Sequence, residues 1–300
     1  MSSKKHILLT GSTGFLGKHI SKAFIEANYS VTPLHLKRNK NKKTATYDKR
    51  EGIVVDSVGE IKEDLFDLRF DSIIHLATDY GSKEESEVKN CNFNLPAKLL
   101  DIACLKGIPF INADSFFSDL PDDYPYLKEY RFWKRNFRDY AKEKSKLENN
   151  TFLNMRIFHM FGPNDSPKKF IQQMLDLLLS EKDFIELTEG DQLRDFIYVD
   201  DVVRAFMFVE KEDFNTKQGY LNFDVASGKM VSVKYFLEKL KEKTGSSTDL
   251  RFGIINKREG EDQLSLIIPD IEPLKSLGWR ISRNLEESID CLIKCSKIRG

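Results

Sequence analysis

The segment "TGSTGFLG", Thr10 to Gly17, constrains the fold more than any other part of this 300-residue chain. It follows a short apolar run of strand-forming residues and opens "GKHISKAFIEANY", where Ile20, Phe24 and Ile25 recur at helical spacing. A glycine-rich turn between a strand and a helix lets the chain approach a pyrophosphate closely and present helix N–H groups to it. The spacing is GxxGxxG rather than GxGxxG, but the strand before it and the helix after it favour a dinucleotide site.

The same alternation of strand and helix continues through the first half of the chain. Strands are predicted in "SVTPLHL", "FDSIIHLA", "IPFINADSFF" and "FLNMRIFHMFG", and helices in "NLPAKLLDIACLKG" and from near Tyr130. Such βαβ units predict an α/β protein with a Rossmann-type, doubly wound parallel sheet. The pattern changes after Pro163, which predicts a smaller C-terminal α/β lobe. We expect the Rossmann domain over residues 1–163 and 195–222, and the second lobe over residues 164–194 and 223–300.

Charge and composition narrow the class of partner. Lys plus Arg equals Asp plus Glu, 47 each, so a global positive field that would attract nucleic acid or anionic lipid is not expected. No window approaches the ~20 apolar residues of a membrane span, and the first apolar run is too short for a secretion signal. The four cysteines show no CxxC pair. We therefore expect a cytoplasmic protein with reduced thiols, no metal site and a small-molecule partner.

The end of the second strand bears on the choice of dinucleotide. It reads "LHLKRNK", with Lys37 and Arg38 and no acidic residue before Asp48. A carboxylate at this point usually binds the ribose 2′-OH of NAD, whereas basic residues accommodate the 2′-phosphate of NADP. NADP(H) is therefore favoured over NAD(H). The alternative is that Lys37 and Arg38 begin a solvated basic loop.

A tyrosine and a lysine four residues apart lie in "LKEYRFWKRNFRDY". On a helix Tyr130 and Lys134 share a face, and a neighbouring ammonium would lower the pKa of the phenol from its reference value of about 10. The hydroxyl would then be a usable acid or base near neutral pH. The alternative is structural, because Tyr130, Trp133, Phe137 and Tyr140 also form an aromatic stripe of the kind that packs in a core.

Several motifs together resemble one family across nearly the whole chain. Besides GxxGxxG and YxxxK there are "HLA" (His75 to Ala77), "RIFHMFGP", "LRDFIYVDDVV", "FDVASGKMVSV", and "KREGED" followed by "LGW". This set resembles the extended short-chain dehydrogenase/reductases that modify nucleotide sugars. Within the family, "HLATDYG", "DSFF" and "LRDFIYVDDVV" look most like the CDP-abequose synthase type, which reduces the 4-keto group of a CDP-linked deoxyhexose with NADPH.

The resemblance implies an enzyme that uses NADPH to reduce the 4-keto group of a deoxy sugar linked to a nucleotide. CDP is the expected nucleotide. The product would be an unusual sugar for surface polysaccharide, and the family implies a homodimer. The first lobe would bind NADP and the second the nucleotide sugar. Two alternatives stay open: a nucleotide-sugar epimerase with tightly bound NAD, and a dinucleotide-binding protein without turnover.

The resemblance also assigns roles near the cofactor. Tyr130 would exchange a proton with the sugar oxygen, and Lys134 would hold the nicotinamide ribose. The remaining cofactor-binding positions would be Gly11, Thr13, Gly14, Phe15, Leu16, Gly17, Lys37, Arg38, Asp56, Leu76, Ala77, Thr78 and Asn92.

On the substrate side the resemblance assigns Arg194 and Arg258 to the pyrophosphate, for which a planar bidentate donor is suited. Tyr80 and His159 would face the substrate. The alternatives are surface ion pairs for the two arginines, with Asp195 and Glu259, and a satisfied core position for His159.

The chain departs from the family pattern at Ala113, where a serine or threonine usually hydrogen-bonds the reacting sugar oxygen. Either Ser115 or Asp114 takes that place, or Tyr130 acts alone, or the change is inactivating. Dehydratases of the family carry an Asp-Glu pair at the next two positions, which here are Asp114 and Ser115. The glutamate base is absent, so dehydration is disfavoured.

Overall fold

The computed structural model describes residues 4–36, 52–66, 68–81, 84–212, 214 and 219–297. The chain divides into two compact units. The first comprises Met1–Asp122, Tyr126–Arg156 and Val203–Phe223, and the second Asp123–Pro125, Ile157–Val202 and Asp224–Gly300. The assignment of cofactor and substrate binding to separate domains stays a prediction.

The strands of the described residues form three sheets. In chain order they are β1 His6–Thr10, β2 Ser30–Leu36, β3 Ile53–Val55, β4 Ser72–His75, β5 Phe110–Ser115, β6 Phe152–Ile157, β7 His159–Phe161, β8 Phe184–Glu186, β9 Leu193–Tyr198, β10 Tyr220–Val225, β11 Met230–Ser232 and β12 Asp249–Arg251. The central sheet has the order β10-β6-β5-β4-β1-β2-β3. It is a seven-stranded parallel sheet, so the predicted doubly wound α/β fold is confirmed.

The helices are α1 Phe15–Glu26, α2 Glu85–Lys89, α3 Leu95–Lys106, α4 Lys128–Leu147, α5 Phe170–Leu179, α6 Val199–Lys211, α7 Val233–Thr244, α8 Glu272–Ser276 and α9 Leu285–Lys297. A π-helical segment, Asn90–Asn94, joins α2 to α3. Gly107 ends α3 with φ 66°, a left-handed conformation that glycine adopts without a steric penalty. Within the described residues, no helix is both long and apolar enough to cross a bilayer.

One predicted strand is two strands in the structure. "FLNMRIFHMFG" divides into β6 of the central sheet and β7 of a separate three-stranded sheet, ordered β11-β9-β7. The break falls at Phe158, whose N–H donates to the carbonyl oxygen of Val225 at 3.1 Å. A continuous apolar run does not reveal such a change of sheet, because both halves are buried.

A stacked aromatic row crosses one end of the central sheet in the first unit. The rings of Phe110 and Phe152 lie 5.4 Å apart and those of Phe152 and Tyr220 lie 5.6 Å apart, both pairs with planes 11° from parallel. These residues come from three neighbouring strands, β5, β6 and β10. Residues at matching positions on neighbouring strands form the contacts that stabilise a sheet face.

An amide row lies two residues further along the same strands. Asn112 Nδ2 donates to Asn154 Oδ1 and Asn154 Nδ2 donates to Asn222 Oδ1, both at 2.8 Å. Because side chains alternate along a strand, a step of two keeps these amides on the same face as the aromatic row. The sheet face therefore changes from apolar to polar toward the carboxyl ends of its strands.

The second unit contains two small sheets. In one, β9 pairs with β7 in parallel and with β11 in antiparallel orientation. In the other, β8 and β12 pair in parallel. The chain's four cysteines, all within the described residues, form no disulfide.

Candidate active site

The glycines of the phosphate loop are required by close backbone approaches. Gly11 has φ +72°, and a Cβ there would lie 2.6 Å from the backbone nitrogen of Ala77. A Cβ at Gly17 would lie 2.0 Å from the carbonyl oxygen of Gly11. Both distances are well inside van der Waals contact, so the loop cannot keep this path with side chains at these two positions.

The loop suits a pyrophosphate. Gly14 caps α1 without a side-chain hydrogen bond, and the first turn, which contains Phe15 and Leu16, has no acidic residue. The Oγ of Ser12 is buried and has no hydrogen-bond partner in the described part of the chain. Open helix N–H groups and an unsatisfied hydroxyl beside a close-packed glycine turn fit an anionic dinucleotide.

The segment after β4 is fixed to β1 by Thr10. Its Oγ1 accepts hydrogen bonds from the N–H groups of Leu76 and Ala77 at 3.2 and 3.3 Å, and lies 2.8 Å from His75 Nδ1. Burial lowers the pKa of His75 well below its ordinary value, and the charge of Lys134 lowers it further. His75 is therefore a neutral structural residue beneath the loop.

Tyr130 and Lys134 both lie on α4 and both are buried. The Nζ of Lys134 donates to the carbonyl oxygen of Ala113 at 2.7 Å. The aromatic stripe is also present, since Phe137 is fully buried in the core of the first unit and Trp133 packs on Phe93 with centroids 5.8 Å apart. The helix carries both features.

The predicted lowering of the Tyr130 pKa by Lys134 is wrong. Burial raises the pKa of Tyr130 well above its ordinary value, and the neighbouring Tyr80 hydroxyl raises it further. The rings of Tyr80 and Tyr130 lie 5.0 Å apart. The Lys134 ammonium is directed at a backbone carbonyl. With its pKa raised by burial, Tyr130 is a protonated phenol that can donate a proton at neutral pH.

Ser115 and Ala113 lie on the same face of β5, because side chains alternate along a strand. A Ser115 hydrogen bond lowers the pKa of Tyr130 and opposes part of the increase due to burial, while Ala113 contributes its backbone carbonyl to Lys134. Ser115 is therefore a candidate for the hydroxyl that Ala113 cannot supply.

Asp114 already has hydrogen-bond partners within the first unit. Its carboxylate is fully buried and accepts hydrogen bonds from Asn154 Nδ2 at 3.0 Å and from the Ser115 N–H at 2.8 Å. Arg138 lies 3.6 Å from it. Of the replacements considered for the missing hydroxyl, the geometry favours Ser115 over Asp114.

Sequence reasoning assigned Thr78 to the cofactor but did not connect it with Tyr130. A Thr78 hydrogen bond lowers the pKa of Tyr130 and opposes part of the increase due to burial, and Thr78 Oγ1 donates to Asn92 Oδ1 at 2.9 Å. Asn92 is completely buried in the π-helical segment. A threonine directly after "HLA" was the available signal, since this segment ends a strand at the carboxyl edge of the sheet.

In the second unit, Arg194 lies on β9 and is only 4% exposed. Its partner is Glu261, with Nη2 3.6 Å from the carboxylate, not Asp195 as the ion-pair alternative had it. Asp195 instead accepts hydrogen bonds from the N–H groups of Ser227 and Gly228, both at 2.7 Å. Burial lowers the pKa of Arg194, while Glu261 opposes that shift.

The Glu261 carboxylate also accepts hydrogen bonds from the backbone N–H of Arg258 at 3.2 Å and from Gln192 Nε2 at 3.0 Å. His159 lies on β7, beside Phe196 of the neighbouring strand. Burial, followed by the charge of Arg194, lowers the pKa of His159 well below its ordinary value.

Four predicted cofactor-binding residues remain: Thr13, Lys37, Arg38 and Asp56. Asp56 follows β3, whose neighbour β2 ends at Leu36, and the Asp56 N–H donates to Glu60 at 2.8 Å. Lys37 and Arg38, on which the NADP prediction depends, lie outside the described residues. Thr13 lies in the phosphate loop.

The chain is similar to known proteins over nearly its full length. It is 33% identical over 297 residues to the CDP-abequose synthase of Salmonella typhimurium, covering 97% of this chain and 98% of the relative. The UDP-glucose 4-epimerase of Thermotoga maritima has the same fold, with a TM-score of 0.81, 22% identity, and 98% and 99% of the two chains covered. RMD from Pseudomonas aeruginosa, complexed with NADPH, matches with a TM-score of 0.75, 17% identity, and 99% and 100% coverage.

A family description also matches most of the chain. The NAD dependent epimerase/dehydratase family matches residues 7–222, which include the phosphate loop, Tyr130 and Lys134. This agrees with the resemblance in the sequence motifs and with the NAD(P)-binding character of the loop. The chain therefore belongs to the NAD dependent epimerase/dehydratase family, the extended short-chain dehydrogenase/reductases.

Proposed function

We propose that this protein reduces the 4-keto group of a nucleotide-linked deoxy sugar, with CDP as the favoured nucleotide. The observation that carries the proposal is the buried pair Tyr130 and Lys134 on one face of α4, with Lys134 Nζ on the Ala113 carbonyl oxygen, in a chain 33% identical to a CDP-abequose synthase. A reduction needs a proton donor at the sugar oxygen, and a tyrosine phenol is such a donor.

NADPH supplies the hydride when it is bound. Tyr130 would donate its proton to the sugar oxygen, which together with the hydride converts the ketone to a secondary alcohol. Ser115 would donate a hydrogen bond to the same oxygen and stabilise the negative charge that develops there. Lys134 would hold the nicotinamide ribose, and the phosphate loop would hold the pyrophosphate. The Tyr130 phenolate would regain its proton from solvent.

The residues after Ala113 bear on dehydration. A dehydratase of the family would carry its Asp-Glu pair at the next two positions, which here are Asp114 and Ser115. Without the glutamate, the carboxylate base that removes a proton is absent. This supports a reductase over a dehydratase.

In the second unit we propose that Arg194 and Arg258 bind the substrate pyrophosphate. Glu261 keeps the buried Arg194 charge compensated and accepts a hydrogen bond from the backbone N–H of Arg258. His159 and Tyr80 are proposed to face the sugar. The preference for NADP(H) over NAD(H) is carried by Lys37 and Arg38 in the sequence.

The test is cofactor oxidation followed by absorbance, with NADPH and a CDP-linked 4-keto-deoxy sugar. We expect turnover that is faster with NADPH than with NADH, and faster with the CDP-linked sugar than with its UDP- or dTDP-linked counterparts. Absence of NADPH oxidation with every nucleotide-linked 4-keto sugar would refute the reductase proposal. Lys37→Glu with Arg38→Glu should reverse the cofactor preference.

The second candidate is a nucleotide-sugar epimerase, which the Thermotoga maritima neighbour favours at the level of fold. An NAD molecule that co-purifies with the protein, together with sugar interconversion without net cofactor consumption, would support it. A binding protein without turnover is the third reading. It rests on Ala113, which lacks the hydroxyl that the family usually has, and Ser115 is a candidate to supply that hydroxyl. There, Tyr130→Phe would leave every biological effect unchanged.

The cellular setting is proposed from the family alone. We propose a cytoplasmic homodimer that makes an unusual sugar for surface polysaccharide. Sedimentation of the purified protein tests the dimer, and loss of one deoxy sugar from the polysaccharide of a deletion strain tests the role.

A further inference from the structure

Three arginines of α4 bind the segment that follows β5. Arg131, Arg135 and Arg138, the arginine row, are spaced i, i+4 and i+7, so they lie along one face of the helix. The segment that they bind, residues 118–122, ends a single 3₁₀ turn, Phe116–Asp119. The last carbonyl groups of a helical turn have no partner within the turn, and cationic side chains are suited to bind them.

Arg135 binds this segment through all three of its nitrogen atoms. Its Nε donates to the Ser118 carbonyl oxygen at 2.9 Å, its Nη2 to the Leu120 carbonyl oxygen at 2.6 Å, and its Nη1 to the Asp122 carboxylate at 2.6 Å. Because the guanidinium is planar and rigid, these bonds fix both the distance and the rotation of the helix against the segment. A lysine, with one ammonium on a flexible stem, could not make the same set.

The other two arginines extend the contact along the helix. Arg131 Nη2 donates to the Pro121 carbonyl oxygen at 2.9 Å. Arg138 Nη1 donates to Ser118 Oγ at 3.0 Å and to the Asp119 carboxylate at 2.5 Å. Ser118 is completely buried and Arg131 is only 2% exposed, so these bonds are shielded from water. Contacts at both ends of the row oppose rotation of α4 about its own axis.

The helix face next to the arginine row carries Tyr130 and Lys134. Successive residues of an α-helix are about 100° apart, so Arg131 and Arg135 each lie about a quarter turn from one of the pair. A rotation of about 10° moves a side-chain end at the ~6 Å radius of a helix by about 1 Å. A misplacement of that size at a reacting group can reduce the rate by about 100-fold.

The entry to α4 is strained. Leu127, the residue before the helix, has φ 56° and ψ 37°, a left-handed conformation that non-glycine residues rarely adopt. Such a conformation persists only where surrounding contacts hold it. The Leu127 carbonyl oxygen accepts the Arg131 N–H at 2.9 Å, and the Arg131 side chain is bound to the Pro121 carbonyl. Tyr130 lies in this first turn, so its position depends on the same contacts.

We propose that Arg135 is a positioning residue for Tyr130, because the arginine row fixes the rotation of α4 against the end of β5 and so sets where the phenol and the Lys134 ammonium point. The inference rests on the proposed function, since the positioned group is the proton donor at the sugar oxygen. Lys134 does not fix the rotation by itself, because its one bond to the Ala113 carbonyl oxygen, at 2.7 Å, is made by a flexible side chain.

The test compares Arg135→Ala and Arg135→Lys in the turnover assay. We expect kcat to fall by about 100-fold in Arg135→Ala and by about 10-fold in Arg135→Lys, which keeps the charge but not the planar fork. The KM values for cofactor and sugar should change by less than about threefold, because the residue acts through the helix. The solvent deuterium isotope effect on kcat should rise, because a displaced phenol slows proton transfer.

Arg280→Ala is the matched control. The Arg280 guanidinium also donates to backbone carbonyl oxygens, those of Lys275 and Trp279, but it lies in the second unit. It should leave kcat and the isotope effect unchanged. An equal fall of kcat in Arg280→Ala would overturn the inference. So would Arg135 variants that unfold at lower urea concentration but keep the kcat and the isotope effect of the unsubstituted protein.

A second measurement needs neither cofactor nor substrate, so it separates this inference from the proposed function. In protein labelled with fluorotyrosine, the fluorine resonance of Tyr130 is the one lost in Tyr130→Phe. The Tyr130 ring packs on the Tyr80 ring, with centroids 5.0 Å apart, so a rotated helix should shift this resonance. We expect a shift in Arg135→Ala, or in Arg135→Lys if the alanine variant does not fold, and none in Arg280→Ala.

The two measurements give distinguishable outcomes. An unchanged Tyr130 resonance in the Arg135 variants overturns the inference, whatever the turnover assay gives. A shifted resonance in a protein that reduces no nucleotide-linked sugar supports the positioning of the phenol by Arg135 and refutes the proposed function.

Discussion

Tyr130 in the first unit and Arg194 in the second are both buried polar side chains, but their partners differ in kind. Tyr130 packs against neutral groups such as the Tyr80 ring, whereas Arg194 is balanced by the carboxylate of Glu261. Removing a neutral partner affects orientation, while removing the counter-charge of a buried ion leaves a desolvated charge. We therefore expect substitutions around Tyr130 to change rate, and those around Arg194 to change stability.

The largest expected effect is that of Tyr130→Phe. Loss of the proton donor should reduce kcat by about 1,000-fold, while the free energy of unfolding, measured by urea denaturation, changes by less than about 1 kcal/mol. Tyr140→Phe is the control, because the Tyr140 hydroxyl bonds Asp101 rather than the site. A Tyr130→Phe variant that kept a tenth of the rate would contradict the expectation that Tyr130 is the proton donor.

Glu261→Gln should act mainly on stability. It leaves the Arg194 guanidinium, 4% exposed, without its ion pair, and Glu261 itself is 19% exposed. We expect the free energy of unfolding to fall by about 2 kcal/mol. Glu242→Gln, which removes an exposed partner of Lys239, should change it by less than about 0.5 kcal/mol. Equal effects of the two substitutions would show that the buried Arg194–Glu261 ion pair contributes no more to stability than an exposed one.

The smallest effect is a pH dependence, to which each unit contributes one buried histidine. His75 and His159 both have a pKa well below the ordinary value, so the unfolded state binds more protons between that lowered pKa and about pH 6.5. Their contribution to stability is complete above about pH 6.5 and is lost as pH falls, at about 1.4 kcal/mol per pH unit for each residue.

The measurement compares urea denaturation of the unsubstituted protein with His75→Gln and His159→Gln between about pH 5 and pH 7. Each substitution should remove one histidine's contribution to the slope of the unfolding free energy against pH. The difference between variants isolates the histidines from other groups with a shifted pKa, such as Asp195, whose pKa burial raises. A slope that neither substitution reduces would mean that both rings are protonated in the folded state.

Sequence patterns predicted the sheet, the phosphate loop and the Tyr130–Lys134 face, because each depends on local spacing. They left open whether Ser115 or Asp114 replaces the hydroxyl that Ala113 lacks, since strand periodicity identifies a face but not the contacts along it. They also gave the wrong direction for the Tyr130 pKa, because spacing along a helix does not show how deeply the phenol is buried. The Arg194–Glu261 pair joins residues 67 positions apart, which no local pattern encodes.

The stacked ring and amide rows also order the folding of the first unit in time. Phe110 and Phe152 precede the second unit's long segment Ile157–Val202, but Tyr220 and Asn222 arrive only with β10, after that segment has been synthesised. Until then Phe152 lacks the Tyr220 ring on one side, and Asn154 Nδ2 has Asp114 but not Asn222 as its acceptor. A nascent chain that ends before β10 therefore exposes an unpaired strand edge, and contacts this distant in sequence form slowly. The unit that contains Tyr130 is first in the sequence, yet it is completed late.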